Sequence, residues 1–220
     1  MSASVTPLSP AESRALAAAR EQVHSEEKLL AELGPVIDDR LVCAARIVLA
    51  HKGKVIPTGV GTSGEIARRM AHLLSVAGSP SLFLHPTEGL HGGLGAVTHD
   101  DVLIAISKGG QSREVNEFTR RAAARGAAVI VLTARQDSEL AALGDLTVAL
   151  PAPDYADPAG IIAMGSTLAV AAWGDALAVM LMQLRGYRWD EVLFTHPGGA
   201  VGRSAESGEP GPARAEGERK

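Results

Sequence analysis

Aromatic residues are scarce in this 220-residue chain: two Trp, two Tyr and three Phe make 3% of it. Because 46% of the residues are nevertheless hydrophobic, the core must be built from Ala, Val, Leu and Ile. Such a core suits helices stacked on a parallel sheet. The single cysteine, Cys43, rules out an internal disulfide and any zinc site made of several cysteines. Neither sign of charge dominates: 21 Lys and Arg face 25 Asp and Glu, a net charge of −4. A nucleic-acid module would carry a basic face, so nucleic acid is not an expected partner. No charge-free apolar run reaches the roughly 18 residues of a membrane span. Met1 to Pro10 lacks the basic-then-apolar pattern of a signal peptide. The expectation is a soluble cytoplasmic protein without a membrane partner.

What is present falls into one domain, residues 1–203, and a tail, residues 204–220. The tail has no Val, Ile, Leu, Met or aromatic residue, so its composition predicts disorder. Pro10-Ala-Glu opens a helical pattern running to about Leu33, and Gly34-Pro35 breaks it before a second helix to about His51. These two leading helices are expected to pack outside the sheet. From Lys54 the pattern alternates strand, turn and helix. Strands are predicted at Lys54–Gly59, Ser81–Leu84, Asp101–Ile106, Ala128–Thr133 and Leu146–Leu150, with helices at about Glu65–Ala77, Arg113–Arg125 and Ile161–Leu184. The fold class is therefore α/β: a doubly wound, five-stranded parallel sheet flanked by helices, with ligands at the carboxyl ends of its strands.

Two of those ends carry loops suited to an anion. Gly59-Val60-Gly61-Thr62-Ser63-Gly64 leads into one helix, and Ser107-Lys108-Gly109-Gly110-Gln111-Ser112 leads into another that begins Arg113-Glu114. Glycines let the backbone approach a phosphate, the hydroxyls donate to it, and a helix N-terminus favours negative charge. Neither loop has the spacing of a dinucleotide fingerprint or a P-loop lysine. One such loop could merely turn the chain; two after different strands of one sheet point to a phosphorylated or otherwise anionic small ligand.

A third segment, His85-Pro-Thr-Glu88-Gly-Leu-His91-Gly-Gly-Leu-Gly95, gathers two imidazoles and a carboxylate. Metal ligation, a plain loop and acid–base chemistry are all compatible with its spacing. A fourth, Thr195-His196-Pro-Gly-Gly-Ala-Val-Gly202-Arg203, places a histidine on a stiff turn just before the tail.

Together these motifs resemble the sugar-isomerase (SIS) family, and within it the arabinose-5-phosphate isomerase branch. The resemblance covers about Lys54 to Arg203 and includes Trp173-Gly-Asp-Ala-Leu-Ala-Val179. It implies a flavodoxin- or Rossmann-like SIS fold, no cofactor and no metal, and a homotetramer whose sites are shared between chains. The substrate implied is a sugar phosphate, held by Gly61, Thr62, Ser63, Ser107, Lys108, Gly110, Ser112, His85 and Glu88. The family's catalytic glutamate falls on Glu114, its catalytic histidine on His196 and its loop histidine on His91. There are departures. Thr62 stands where the family has a lysine, Tyr155 (between Asp154 and Asp157) where it has a second glutamate, and Gly109 where serine is usual. Lys108 is the candidate to supply the missing charge. Ala163-Met-Gly-Ser-Thr167 is closer to the hexulose-6-phosphate isomerase branch. The tail replaces the regulatory nucleotide-binding (CBS) pair that often follows in this branch. The resemblance thus implies an aldose–ketose isomerase acting through an enediol, with a non-catalytic sugar-phosphate-binding module as the alternative.

Overall fold

The computed structural model describes residues 7–198; the expected tail and the Gly202-Arg203 end of the fourth motif lie outside the described residues. Helix α1 (Pro10–Ala31) starts on a capping box, in which the Ser9 hydroxyl accepts from the Glu12 amide and the Glu12 carboxylate accepts from the Ser9 amide. Only Leu29 of its residues is buried. A short 3₁₀ turn at Gly34–Val36 makes the predicted break, and Asp38 caps α2 (Asp39–Ala50). Contrary to expectation, α2 is not outside the layered core. Its Leu41, Ala44, Ala45 and Val48 pack with Val148 and Leu150 of the sheet, because their spacing gives one continuous apolar face.

The sheet is wholly parallel, in the order β1 (Val55–Thr58), β2 (Val102–Ile106), β3 (Ala128–Thr133), β4 (Leu146–Ala149). Side chains alternate between two cores. Val55, Ile104, Ile106, Ile130, Leu132 and Val148 meet α2, α3 (Gly61–Val76) and α6 (Gly165–Arg185). Ile56, Leu103, Ala105, Val129 and Val131 meet Val115, Phe118 and Ala122 of α5 (Arg113–Ala124). Helices cover both faces, which is why β2 and β3 read as unbroken apolar runs.

The expected fifth strand, Ser81–Leu84, is reduced to one parallel bridge, Ser81 to Val55. The Val55 amide donates to Pro80 O and the Leu82 amide to Val55 O. The next outward-facing residue of β1 is Pro57, which has no N–H to continue the ladder. Beyond it the segment is held by a side chain instead: the Thr58 hydroxyl donates to Leu84 O at 2.6 Å.

Two helix starts also differ from expectation. Helix α3 begins at Gly61, so the Gly61-Thr-Ser-Gly64 turn is its first turn. Helix α6 begins at Gly165, because residues 157–164 form a tight turn ahead of it. By length and composition α6 is apolar enough to cross a membrane, yet it carries Asp175 and buries Trp173, Leu177 and Leu181 in the core. It is the central helix of one layer.

Candidate functional site

The chain leaves β1 toward Ser81 on one side of the sheet and returns to β2 on the other, so the β1–β2 junction is a topological switch point. Ligands of open α/β sheets bind outside the strand ends at such a point. Both glycine loops lie there. After β1, Gly59 and Gly64 are in close approach: a side chain on Gly64 would meet Gly59 O at 2.8 Å. Gly61 has φ +56, and Val60, at the N-cap of α3, makes no side-chain hydrogen bond to the helix. The first amides of α3, around Gly61, Thr62 and Ser63, therefore lack a side-chain cap.

After β2 the loop folds on its own hydroxyls. Ser107 Oγ accepts from the Gly110 amide at 3.1 Å and lies 3.3 Å from Ser112 Oγ. Gly110, at φ +65, lies against Ser138, and a side chain there would collide with it. The Leu140 amide and Asn116 Nδ2 both donate to Gly110 O, fixing the loop to its surroundings. Ser112 is the N-cap of α5 but leaves the helix amides uncapped by its side chain. Two helix N-termini with unfilled donors thus converge on the strand ends, the arrangement that binds phosphate. Glu114 sits exposed in the first turn of α5, with no hydrogen bond or ion pair among the described residues.

A narrow cleft, open to solvent, runs from these loops over the ends of β2, β3 and β4 to the start of α6. Ser63, Lys108, Thr133, Ser166 and Thr167 supply its polar lining. Lys108 does not stand free to replace a charge at Thr62. Its Nζ lies 2.7 Å from Asp157 Oδ2 and donates to Gly160 O at 3.1 Å. Asp157 is fully buried. Burial pushes its carboxyl up, but hydrogen bonds from Lys108 and Ser166 outweigh that and hold it below the ordinary aspartate value.

The His-rich segment forms a short helix, α4 (Pro86–Leu90), packed on α5 where Gly89 meets Phe118. His85 is its N-cap: Nδ1 accepts from the Thr87 amide at 3.2 Å, and the ring meets Phe83 edge-on at 6.3 Å. Glu88 and His91 are exposed on the same element. Among the described residues no three His, Cys, Asp or Glu side chains gather to hold a metal ion.

His196 is not brought to the cleft within one chain. It ends α7 (Trp189–Thr195), where its Nδ1 lies 2.7 Å from Val192 O and 3.3 Å from Thr195 Oγ1. Tyr155 also turns away, donating to Glu32 Oε2 of the segment after α1 at 2.9 Å beneath the Lys28 ammonium. The structure adds Ser166 to the cleft wall and Asp157 behind it, as the buried partner of Lys108. Ser166 is 5% exposed, and its hydroxyl and amide both help hold the Asp157 carboxyl down. Their sequence signal was faint: Asp157 stood out only as a neighbour of Tyr155, and Ser166 only as part of a helix start.

Fold and site define a parallel α/β domain with two glycine loops, each opening a helix without a side-chain cap, at its switch point. The SIS domain model matches residues 48–180, more than half of the chain, and the chain belongs to the SIS family. It is 38% identical over 186 residues to the protein named arabinose 5-phosphate isomerase KdsD of Escherichia coli strain K12. The match covers 84% of this chain and 57% of that protein, so the chain spans little more than half the relative's length. The KdsD of Pseudomonas aeruginosa is 35% identical over 177 residues, covering 80% of this chain and 53% of its own. Among solved structures, an E. coli CFT073 protein in complex with arabinose 5-phosphate is 33% identical with a TM-score of 0.78, covering 84% of this chain and 98% of that one. A Listeria monocytogenes protein is 28% identical with a TM-score of 0.80, covering 87% of this chain and 100% of its own.

Proposed function

We propose that this chain is an aldose–ketose isomerase of a sugar phosphate, of the arabinose 5-phosphate/ribulose 5-phosphate type. The observation that carries the reading is the pair of helix N-termini, α3 and α5, without side-chain caps at the switch point, with Glu114 in the first turn beside one of them. Relatives named arabinose 5-phosphate isomerase, and a similar structure in complex with that sugar phosphate, support the choice of sugar. In this reading the phosphate sits on Gly61–Ser63 and Ser107–Ser112, and the sugar extends into the cleft. Glu114 takes the proton from C2 of the aldose to form an enediol and returns it at C1. An imidazole, His91 or His196, moves the proton between O1 and O2. The reaction is balanced by these transfers alone.

The test of the ligand class is a thermal-shift panel of sugar phosphates and the corresponding free sugars. One phosphate, and not its free sugar, is expected to raise the melting midpoint. Ser107→Ala and Ser112→Ala should each weaken that binding by about 1.5–3 kcal/mol, the worth of a hydrogen bond to a charged group. Equal stabilisation by the free sugar overturns the reading.

A non-catalytic sugar-phosphate-binding module is the second reading. It is favoured by Tyr155, which bonds to Glu32, and by Lys108, whose charge is matched by Asp157. A wild-type protein that binds a sugar phosphate and never turns one over decides for it.

His196 reaches a cleft only if a second copy presents it. Phe194 (87% exposed) and Trp189 of α7, and Val179 and Leu184 of α6, are exposed apolar side chains available to such a contact. The chain is therefore expected to be a homo-oligomer, a tetramer with shared sites; a monomer in light scattering at micromolar concentration would exclude it.

A further inference from the structure

We propose that Asp157 is a positioning residue that holds Lys108 as a hydrogen-bond donor for the sugar end of the ligand, leaving the phosphate to the two loops. The proposal deepens the sugar-phosphate reading and rests on it. Lys108 belongs to the β2 loop, but its side chain leaves that loop and crosses to the turn before α6. There Asp157 has both oxygens engaged: Oδ2 by the Lys108 ammonium, and Oδ1 by the amides of Met164 at 2.9 Å and Ser166 at 3.0 Å. One buried carboxylate thus caps α6, whose N-cap Met164 has no capping side chain, and ties it to the β2 loop.

The second partner of the ammonium, Gly160 O, is presented by an unusual turn. Ala159 has φ 55 and ψ 19, the one non-glycine residue with positive φ among the described residues, and Gly160 follows at φ +66. Such strain persists only where surrounding structure over-determines it, and it clusters at ligand sites.

An ammonium has three donors, and two are engaged here. The third belongs to the cleft that Lys108 lines. Ser166 lines the same cleft with a buried hydroxyl. The Lys108–Asp157 pair has no net charge, so it adds little long-range attraction for a phosphate dianion. What it offers is a directed donor, suited to a hydroxyl or carbonyl oxygen. With Ser63 and Thr167 also on the wall, the lining matches several oxygens spread along a short carbon chain.

The experiment compares inorganic phosphate with the sugar phosphate that best stabilises the wild type, starting from arabinose 5-phosphate, by calorimetric titration of the whole chain. Lys108→Met is expected to weaken the sugar phosphate at least tenfold and inorganic phosphate by less than twofold. Asp157→Asn should reproduce that selective loss by releasing the ammonium. A purely structural role would lower both affinities together or neither, and either result overturns the proposal. Lys108→Met leaves a buried carboxylate unpaired and is at risk of misfolding. The K108M/D157N double variant removes both charges and keeps an oxygen for the Met164 and Ser166 amides; it must show the same selectivity, with no further loss beyond the single variants. A wild type that binds no sugar phosphate defeats the sugar-phosphate reading itself, whereas one that binds it no better than Lys108→Met defeats only the present inference.

Discussion

Replacing Glu114 by Gln is expected to lower kcat by about 10²–10⁴-fold, the usual worth of a positioned general base, while the sugar phosphate binds as before. The substitution keeps the side chain's shape and removes its basicity. Because Glu114 has no ion pair or hydrogen bond among the described residues, the fold loses only the small favourable interaction of its charge with the start of α5. Exchange at C2 in heavy water reads the step directly. Wild-type protein should wash the C2 proton out, and the variant should do so slowly or not at all. Equal exchange in both would remove Glu114 from the chemistry.

The largest effect on stability is expected at the opposite end of the sheet. Asp101, fully buried at the start of β2, accepts from the Lys54 amide at 2.7 Å, the Lys54 ammonium at 3.0 Å, and the Thr98 amide and hydroxyl at 2.7 and 3.0 Å. It clips the entry of β1 to that of β2. Asp101→Ala leaves those donors without their acceptor and should cost about 3 kcal/mol at pH 7. Burial raises the carboxyl's pKa, but the hydrogen bonds from Lys54 and Thr98 prevail and set it below the ordinary 3.8. A depressed carboxyl stabilises the fold fully above its unfolded pKa and loses that contribution as pH falls through the folded one. The gap between wild type and Asp101→Ala should therefore be constant from pH 8 to about pH 5 and narrow below about pH 4. Urea unfolding at pH 7 and pH 3 checks it; a gap equally wide at both would show that the charge is not what holds the strands.

The layered sheet was legible because its signal is local: β2 and β3 are unbroken apolar runs, and glycine-rich turns follow β1 and β2. The lost fifth strand was also written locally, in Pro57, but its meaning depends on which edge of β1 faces Ser81. That is a property of strand order, not of spacing. The lock between Lys108 and Asp157 spans 49 positions, and no periodicity links a loop lysine to an aspartate in a turn so far downstream. His196 illustrates the same limit in reverse. Its motif was conspicuous, yet within one chain it ends α7 and does not line the cleft.

Pro57 has one more consequence. A complete fifth strand would end the sheet in a row of free amides and carbonyls, an open template on which another molecule could lay its own strand. With a proline in β1 and another, Pro80, just before the single bridge, that flank offers one rung and then turns aside. Growth by strand addition is blunted there, as natural edge strands are commonly protected from aggregation.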